Sequence, residues 1–368
     1  MKLRILHIIG GLVGGGAETQ LKLLLGGLES AGHQAAVAYL NDDPGFTERG
    51  GIACFPLQRR RRLEYWKLHR QLTDIIERFM PDVVHLWFPE VLTIPAALIA
   101  RSRHIPIVSS QRRSFSAHVS RFNWLRDRAG AIPHYLCDAL VTNFPVDHEP
   151  AWFQRLYRKH QGAVVRNALA PLEAPPRDLP KPSLGQNCFN ILFVGRFAPQ
   201  KRIPLLIEAF ARLDHQTHAY RLHLYGKASK DALEQCRQVM AANGLAEDRV
   251  VFAGYSSAWR SIAAQFDAFV LPSVAEGMPN VLLEAMQAGL PCLATDIPEI
   301  RSLVTHGEEA WLVEPDNVEA LAAGLKELHS NTALRHFLAD AGQRFTQRFG
   351  VENMVQQYVN IYHHLRHG

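Results

Sequence analysis

Two carboxylates eight residues apart, Glu276 and Glu284, stand in the segment Ser273-Val-Ala-Glu-Gly-Met-Pro-Asn-Val-Leu-Leu-Glu-Ala-Met. The segment leaves an apolar run, turns at Gly277 and enters a helix expected to begin near Asn280. A carboxylate in the loop and another one turn into the helix can face one crevice and accept hydrogen bonds from sugar or ribose hydroxyls. The backbone N–H groups of Gly277 and Met278 fall beside the same helix start, where the dipole favours an anion. Glu284 is flanked by Leu283 and Ala285, a setting in which a merely solvated glutamate has little reason to stand.

A second group is Val194-Gly195-Arg196-Phe197, with Lys201 five residues past the arginine. Two cations at the carboxyl end of a parallel strand suit a diphosphate, the arginine through its bidentate fork and the lysine as a point charge. In isolation they read equally as solvated surface cations. A third group is the cluster Gly10, Gly11, Gly14, Gly15 and Gly16 ahead of Ala17-Glu18, at a strand-to-helix join. Glycines there allow a backbone to approach a phosphate closely. The spacing matches neither GxGxxG nor GxxxxGK[ST], so a plain flexible turn remains open and a nicotinamide dehydrogenase is disfavoured.

The elements that must position these groups alternate. Strand candidates are Leu3–Ile9, Gln34–Leu40, Val83–Leu86, Ile107–Ser110 and Ala139–Thr142, then Asn190–Val194, Arg221–Tyr225, Val250–Phe252, Ala268–Leu271 and Pro291–Ala294. Between the first two, residues 18–31 put Leu21, Leu24, Leu25 and Leu28 on one helical face, with Gly32 as the stop. Repeated strand–helix–strand units imply an α/β fold of two doubly wound parallel sheets. Pro171, Pro175, Pro176, Pro180 and Pro182 interrupt the pattern and mark a linker. The expected division is residues 1–170, a linker over 171–187, a second domain over 188–350 and a terminal helix over 351–368. That helix carries Met354, Tyr358, Ile361 and Leu365 at three- and four-residue spacing.

Composition narrows the class. At 368 residues with 47% hydrophobic and 20% charged residues, the chain has room for two large cores. The five cysteines form no CxxC or zinc-type cluster, which points away from a disulfide framework or metal site and toward a reducing cytoplasm. The N-terminal apolar run is short, holds a histidine and passes into glycines, so it reads as a buried strand rather than a signal peptide. No run approaches a membrane span. Basic residues concentrate early: residues 1–180 hold 23 Lys and Arg against 16 Asp and Glu. The run Arg59–Arg62 and the stretch 101–128, with Phe115, Phe122 and Trp124 among its arginines, suit an anionic bilayer surface or a lipid diphosphate, or form a solvated basic face. No nucleic-acid-binding motif accompanies them, so nucleic acid is not an expected partner.

With Gly-rich loop before Ala17-Glu18, Gly195-Arg196 with Lys201, and E-x7-E from Glu276 to Glu284, the chain resembles the family 4 glycosyltransferases of the GT-B fold. Gly289-Leu-Pro291, Glu299 and Leu312-Val-Glu-Pro315-Asp316 extend the likeness, which spans essentially the whole chain. The resemblance implies two Rossmann-like domains facing across a cleft, with the C-terminal helix crossing back to the first. It implies a nucleotide-sugar donor on the second domain, an acceptor on the first, and retention of anomeric configuration with no metal or other cofactor. Carried over, Arg196 and Lys201 would neutralise the leaving diphosphate, Glu276 would bind the donor sugar, Glu284 the ribose, and Gly15 and Gly16 would border the phosphates. The chain departs from the family pattern at Lys201-Arg202 (usually Lys-Gly), at Lys227-Ala228-Ser229 after Gly226 (usually a second glycine), and at Asn167-Ala168 (usually Asn-Gly). Arg112 stands where many relatives carry a histidine; it can steady an acceptor anion or a donor phosphate but cannot act as a base. His118 either compensates for the missing histidine or is an ordinary surface or core residue.

The expected function is therefore transfer of a hexose or N-acetylhexosamine from a nucleotide-diphosphate sugar, with UDP the expected nucleotide, to a saccharide acceptor, lipid-linked, in bacterial surface polysaccharide synthesis. A nucleotide-sugar epimerase and a non-catalytic sugar binder on the same scaffold are the alternatives.

Overall fold

The computed structural model describes residues 2–11, 16–41, 52–58, 65–88, 93–112, 131–172, 188–214 and 220–367. The chain divides into two compact units, Met1–Ala170 with Phe349–Gly368, and Pro171–Arg348.

The first unit holds β1 (Arg4–Gly11), β2 (Gln34–Asn41), β3 (Ala53–Pro56), β4 (Val83–Leu86), β5 (Ile107–Gln111), β6 (Ala139–Thr142) and β7 (Ala163–Val164). They pair in parallel in the order β3-β2-β1-β4-β5-β6-β7. On one face, Ile5, Ile9, Val37, Val83 and Trp87 pack against Leu21, Leu24, Leu25 and Leu28 of the helix Gly16–Ser30. The C-terminal helix Val351–His367 shares that face through Met354, Tyr358 and Tyr362. On the other face, Leu6, Ile8, Val84 and Leu86 meet Leu68, Leu72 and Ile76 of the helix Tyr65–Phe79 and Ala96 and Ala100 of Thr93–Ser102. Strands covered on both faces need apolar side chains at nearly every position, hence the continuous runs in the sequence. Gly32 ends the first helix at φ +81°, a left-handed backbone that glycine adopts without a Cβ clash. At Gly27, a Cβ would come within 2.3 Å of Val355, so glycine lets the first and last helices touch.

The second unit holds β8 (Phe189–Val194), β9 (Tyr220–Tyr225), β10 (Val250–Gly254), β11 (Ala268–Leu271), β12 (Cys292–Thr295) and β13 (Trp311–Val313). All are parallel, in the order β10-β9-β8-β11-β12-β13. The expected fold class, two doubly wound parallel sheets, is the one observed. In each sheet the winding reverses once, between β1 and β4 and between β8 and β11, and such switch points are where open sheets receive ligands.

Three strands escaped the sequence reading. β3, β7 and β13 are two to four residues long, and β3 and β7 hold only exposed and half-buried positions instead of forming buried runs. The proline linker lies, beyond Leu172, outside the described residues. All five cysteines are free thiols. Among the described residues no helix is long and apolar enough to cross a membrane.

Candidate active site

The second unit's site begins where β8 ends. The N–H of Gly195 donates to Tyr225 O at 2.9 Å, and that of Phe197 to Lys227 O at 2.9 Å, so the loops after β8 and β9 run side by side. Gly226 makes this possible: a Cβ there would lie 1.8 Å from the Gly195 carbonyl oxygen. The chain then winds one 3-10 turn over Pro199–Lys201 and reverses at Arg202, with φ 48° and ψ 38°. A left-handed residue at this point explains why a glycine is usual here. Here the position is held by an arginine whose side chain is tied outward, Nε and Nη2 donating to the Asp316 carboxylate at 2.6 and 2.9 Å.

Lys201 points the other way. Its Nζ donates to Glu276 Oε1 at 2.5 Å, with the two side chains 15% and 11% exposed, so the pair is held largely away from water. Two tethers fix the loop carrying Glu276: Val274 N–H donates to Gln200 O at 2.9 Å, and Thr295 Oγ1 donates to Ser273 O. Adjacent strands at the switch point thus deliver a cation and an anion to one place. The helix Asn280–Gln287 follows, its Asn280 N–H bonded to Met278 O at 2.8 Å just past Gly277. Leu282, Leu283, Ala285 and Met286 anchor that helix in the core and carry Glu284 with them. Burial pushes the Glu284 carboxyl up to about 7, and Arg260 on the helix Trp259–Ile262 opposes that rise. Arg260 is held by a hydrogen bond from Nη2 to Gln287 Oε1, one turn beyond Glu284.

Of the expected residues, Lys201 and Glu276 are in direct contact, and Gly277, Met278, Asn280 and Glu284 follow on one turn and helix. Arg196 is exposed in the loop after β8, and neither it nor Glu284 makes an ion pair among the described residues. Arg260 was not singled out from sequence, since a lone arginine in a short helix carries no spacing signal.

In the first unit, Gly16 opens the first helix, whereas Gly15, His118, Arg59–Arg62, Phe122 and Trp124 lie outside the described residues. Arg112 follows β5 directly. Its Nη1 donates to Asn167 Oδ1 at 2.9 Å, its Nη2 to the Tyr358 hydroxyl, and its Cζ lies 4.4 Å from the Trp87 ring centre. Asn167 is thus committed to Arg112, and the next residue, Ala168, exchanges two backbone hydrogen bonds with the Gln20 amide at 2.7 and 2.8 Å. Around this arginine, His85 hydrogen-bonds Tyr362 Oη through Nδ1 at 2.7 Å and Ser110 Oγ through Nε2 at 2.8 Å. Trp87 Nε1 donates to His7 Nδ1 at 2.9 Å. Burial lowers His7 to about 3 and holds His85 well below its usual value, so both rings are neutral. Their sequence signal was a polar residue inside an apolar strand, which by itself does not separate a core histidine from a working one.

Comparison with known proteins identifies the class. Residues 188–331 match the model of the glycosyl transferases group 1, and residues 14–145 that of glycosyltransferase family 4. The lipopolysaccharide core biosynthesis glycosyltransferase LpsD of Rhizobium meliloti is 26% identical over 324 residues, covering 86% of this chain and 84% of that protein. An exopolysaccharide phosphotransferase of Streptomyces coelicolor is 30% identical over 227 residues, 61% of this chain, but this chain matches only 23% of its length. The Anabaena HepE structure in complex with UDP-glucose superposes with a TM-score of 0.79 at 22% identity, over 98% of this chain and 99% of that one. The chain belongs to the group 1, family 4 glycosyltransferases and has their GT-B type of fold. It is a glycosyltransferase similar in sequence to one of lipopolysaccharide core biosynthesis.

Proposed function

We propose that the protein moves a hexose or N-acetylhexosamine from a UDP-linked donor to a saccharide acceptor with retention of configuration, in the building of a bacterial surface polysaccharide. The observation that carries this reading is the Lys201–Glu276 pair at the β8/β11 switch point, inside the region matched by the group 1 model. The leaving diphosphate brings more negative charge than one carboxylate, so Lys201 turns to it, and Arg196 adds a bidentate contact. Glu276, released from the lysine, accepts a hydroxyl of the donor sugar, and Glu284 accepts those of the ribose. Gly16, with Gly15, borders the phosphates from the first helix's N-terminus. With two cations at the leaving group, the chain's own residues supply the charge that a divalent metal supplies in other transferases.

The acceptor is held by the first unit and is lipid-linked, which places the enzyme in the cytoplasm against the inner face of the cytoplasmic membrane. Support for the donor comes from the HepE complex with UDP-glucose, and for the pathway class from LpsD. The test is a panel of UDP- and other nucleotide-linked sugars, read by thermal shift and then by release of UDP with EDTA present. Stabilisation by a UDP-sugar and chelator-insensitive turnover are expected. Activity lost to EDTA and restored by Mn or Mg would overturn the metal-free reading, and preference for another nucleotide would overturn the donor.

A further inference from the structure

Arg112, directly past β5 at the carboxyl edge of the first sheet, is a buried charged group for which the donor chemistry gives no use. Only 7% of it is exposed, and no carboxylate among the described residues pairs with it. Its partners are neutral: the Asn167 amide oxygen, the Tyr358 hydroxyl and the face of Trp87. The groups around it cannot supply the missing charge either. His7 and His85 are neutral, and burial keeps the Tyr358 and Tyr362 hydroxyls protonated by raising both above their usual value.

The hydrogen-bond count is incomplete as well. A guanidinium carries five N–H donors. Asn167 and Tyr358 take one from each terminal nitrogen, while Nε is buried and has no partner among the described residues. Trp87 fixes the plane of the fork and the two side-chain partners fix its rotation, so an Nε edge is left pre-oriented. That edge is the geometry by which arginine grips a carboxylate or phosphate through two parallel bonds, which a lysine or histidine cannot reproduce. Arg112 also stands at a strand's carboxyl end, where open sheets receive ligands.

We infer that Arg112 recognises an oxyanion of the acceptor, so that the acceptor is an acidic saccharide or a saccharide carrying phosphate rather than a neutral sugar. The inference rests on the glycosyltransferase reading above. A donor diphosphate shares the chemistry, and the experiment must tell the two apart.

Protein labelled with 15N at arginine side chains gives an Arg112 Nε–H signal, assigned by its absence in Arg112→Lys. With UDP saturating the donor site, glucuronate and glycerol phosphate are titrated at fixed ionic strength, with glucose as the neutral control. Expected is a saturable shift of that signal with one of the two anions and none with glucose, and at least about tenfold weaker binding of that anion by Arg112→Lys. The thermal melt of the lysine variant, compared with wild type, separates lost recognition from lost folding. A shift produced by UDP alone, with no further response, assigns the oxyanion to the donor and overturns the inference. No response to any anion makes Arg112 a structural clamp of the C-terminal helix and overturns it too. UDP binding in the same sample tests the donor reading separately, and its absence leaves the two anion titrations interpretable without it.

Discussion

At the carboxyl ends of β8 and β11 a lysine and a glutamate meet at 2.5 Å, and a second, half-buried glutamate stands on the next helix. At the carboxyl ends of β4 and β5, in a sheet of the same winding, an arginine is buried among aromatic rings and neutral histidines with no acid beside it among the described residues. The same topology therefore supports two electrostatic designs. One stores opposite charges that can exchange partners with a ligand carrying both hydroxyls and phosphates. The other holds a cation whose counter-charge is not built into the described fold. The two designs also respond to protons in different ways.

The largest expected effect is on stability in acid. His7 and His134 are both lowered to about 3, so the folded first unit excludes protons that the unfolded chain binds below about 6.5. Stability contributed by neutral burial is full above that value and declines as pH falls toward 3. By pH 5 this amounts to about 2 kcal/mol for each ring, and His85 acts in the same direction. In the second unit, His223, lowered to about 4, has that same sign, but Glu284, raised to about 7, has the opposite one. Its neutral form favours the fold below pH 7, and that advantage is lost as pH rises from about 4.5 to 7. Hydrogen exchange at pH 7 and pH 5 should therefore show β1 and β4 losing protection before β8 and β11. Equal loss in both sheets would erase the contrast.

Next in size is catalysis. Lys201→Ala and Glu284→Ala should each lower transfer by at least about tenfold, or 1.4 kcal/mol of transition-state stabilisation, with the melting behaviour of a folded protein. Wild-type turnover in either variant would remove that residue from the site.

The Glu284 titration sharpens the contrast further. If the carboxylate is the form that accepts ribose hydroxyls, KM for the donor should fall severalfold between pH 6 and pH 8 and become flat in Glu284→Gln. Arg260→Met, which removes the opposing cation, should move the same transition to higher pH, and Arg260→Lys should largely restore it. A donor KM independent of pH would mean that Glu284 binds as the neutral acid. The last expected effect concerns the early basic run. Replacing Arg59–Arg62 with Ser should weaken sedimentation with anionic vesicles by about 1 kcal/mol per cation at low salt and spare donor hydrolysis. Equal binding by wild type to neutral and anionic vesicles would remove the membrane from the proposed function.

Both sheets and the E-x7-E helix were legible because each depends on a local pattern: apolar runs for strands buried on two faces, and a glycine turn before an apolar helix. Gly32 and the first helix's buried leucines followed from periodicity in the same way. The surroundings of Arg112 were not legible, because Trp87, Asn167 and Tyr358 come from distant parts of the chain, and the signals at Asn167 and Tyr358, a turn departure and a helix face, do not point to Arg112. Arg202 shows a third case. The sequence marked it as a departure, and only the backbone angle with the Asp316 pair shows how an arginine occupies a glycine's place.

The C-terminal helix also imposes an order of events on synthesis. Tyr358 and Tyr362, which close the face of the first sheet and touch Arg112 and His85, are made after the entire second unit. At about 5–20 residues per second, the stretch between Ala170 and Phe349 takes roughly 10–35 s to emerge. During that interval the nascent first unit presents Trp87, Val37 and Leu25 without the last helix that completes their cluster. The half made first is the half finished last, and a chain cut short by its final twenty residues would leave the ribosome with its older unit still open to chaperones and proteases.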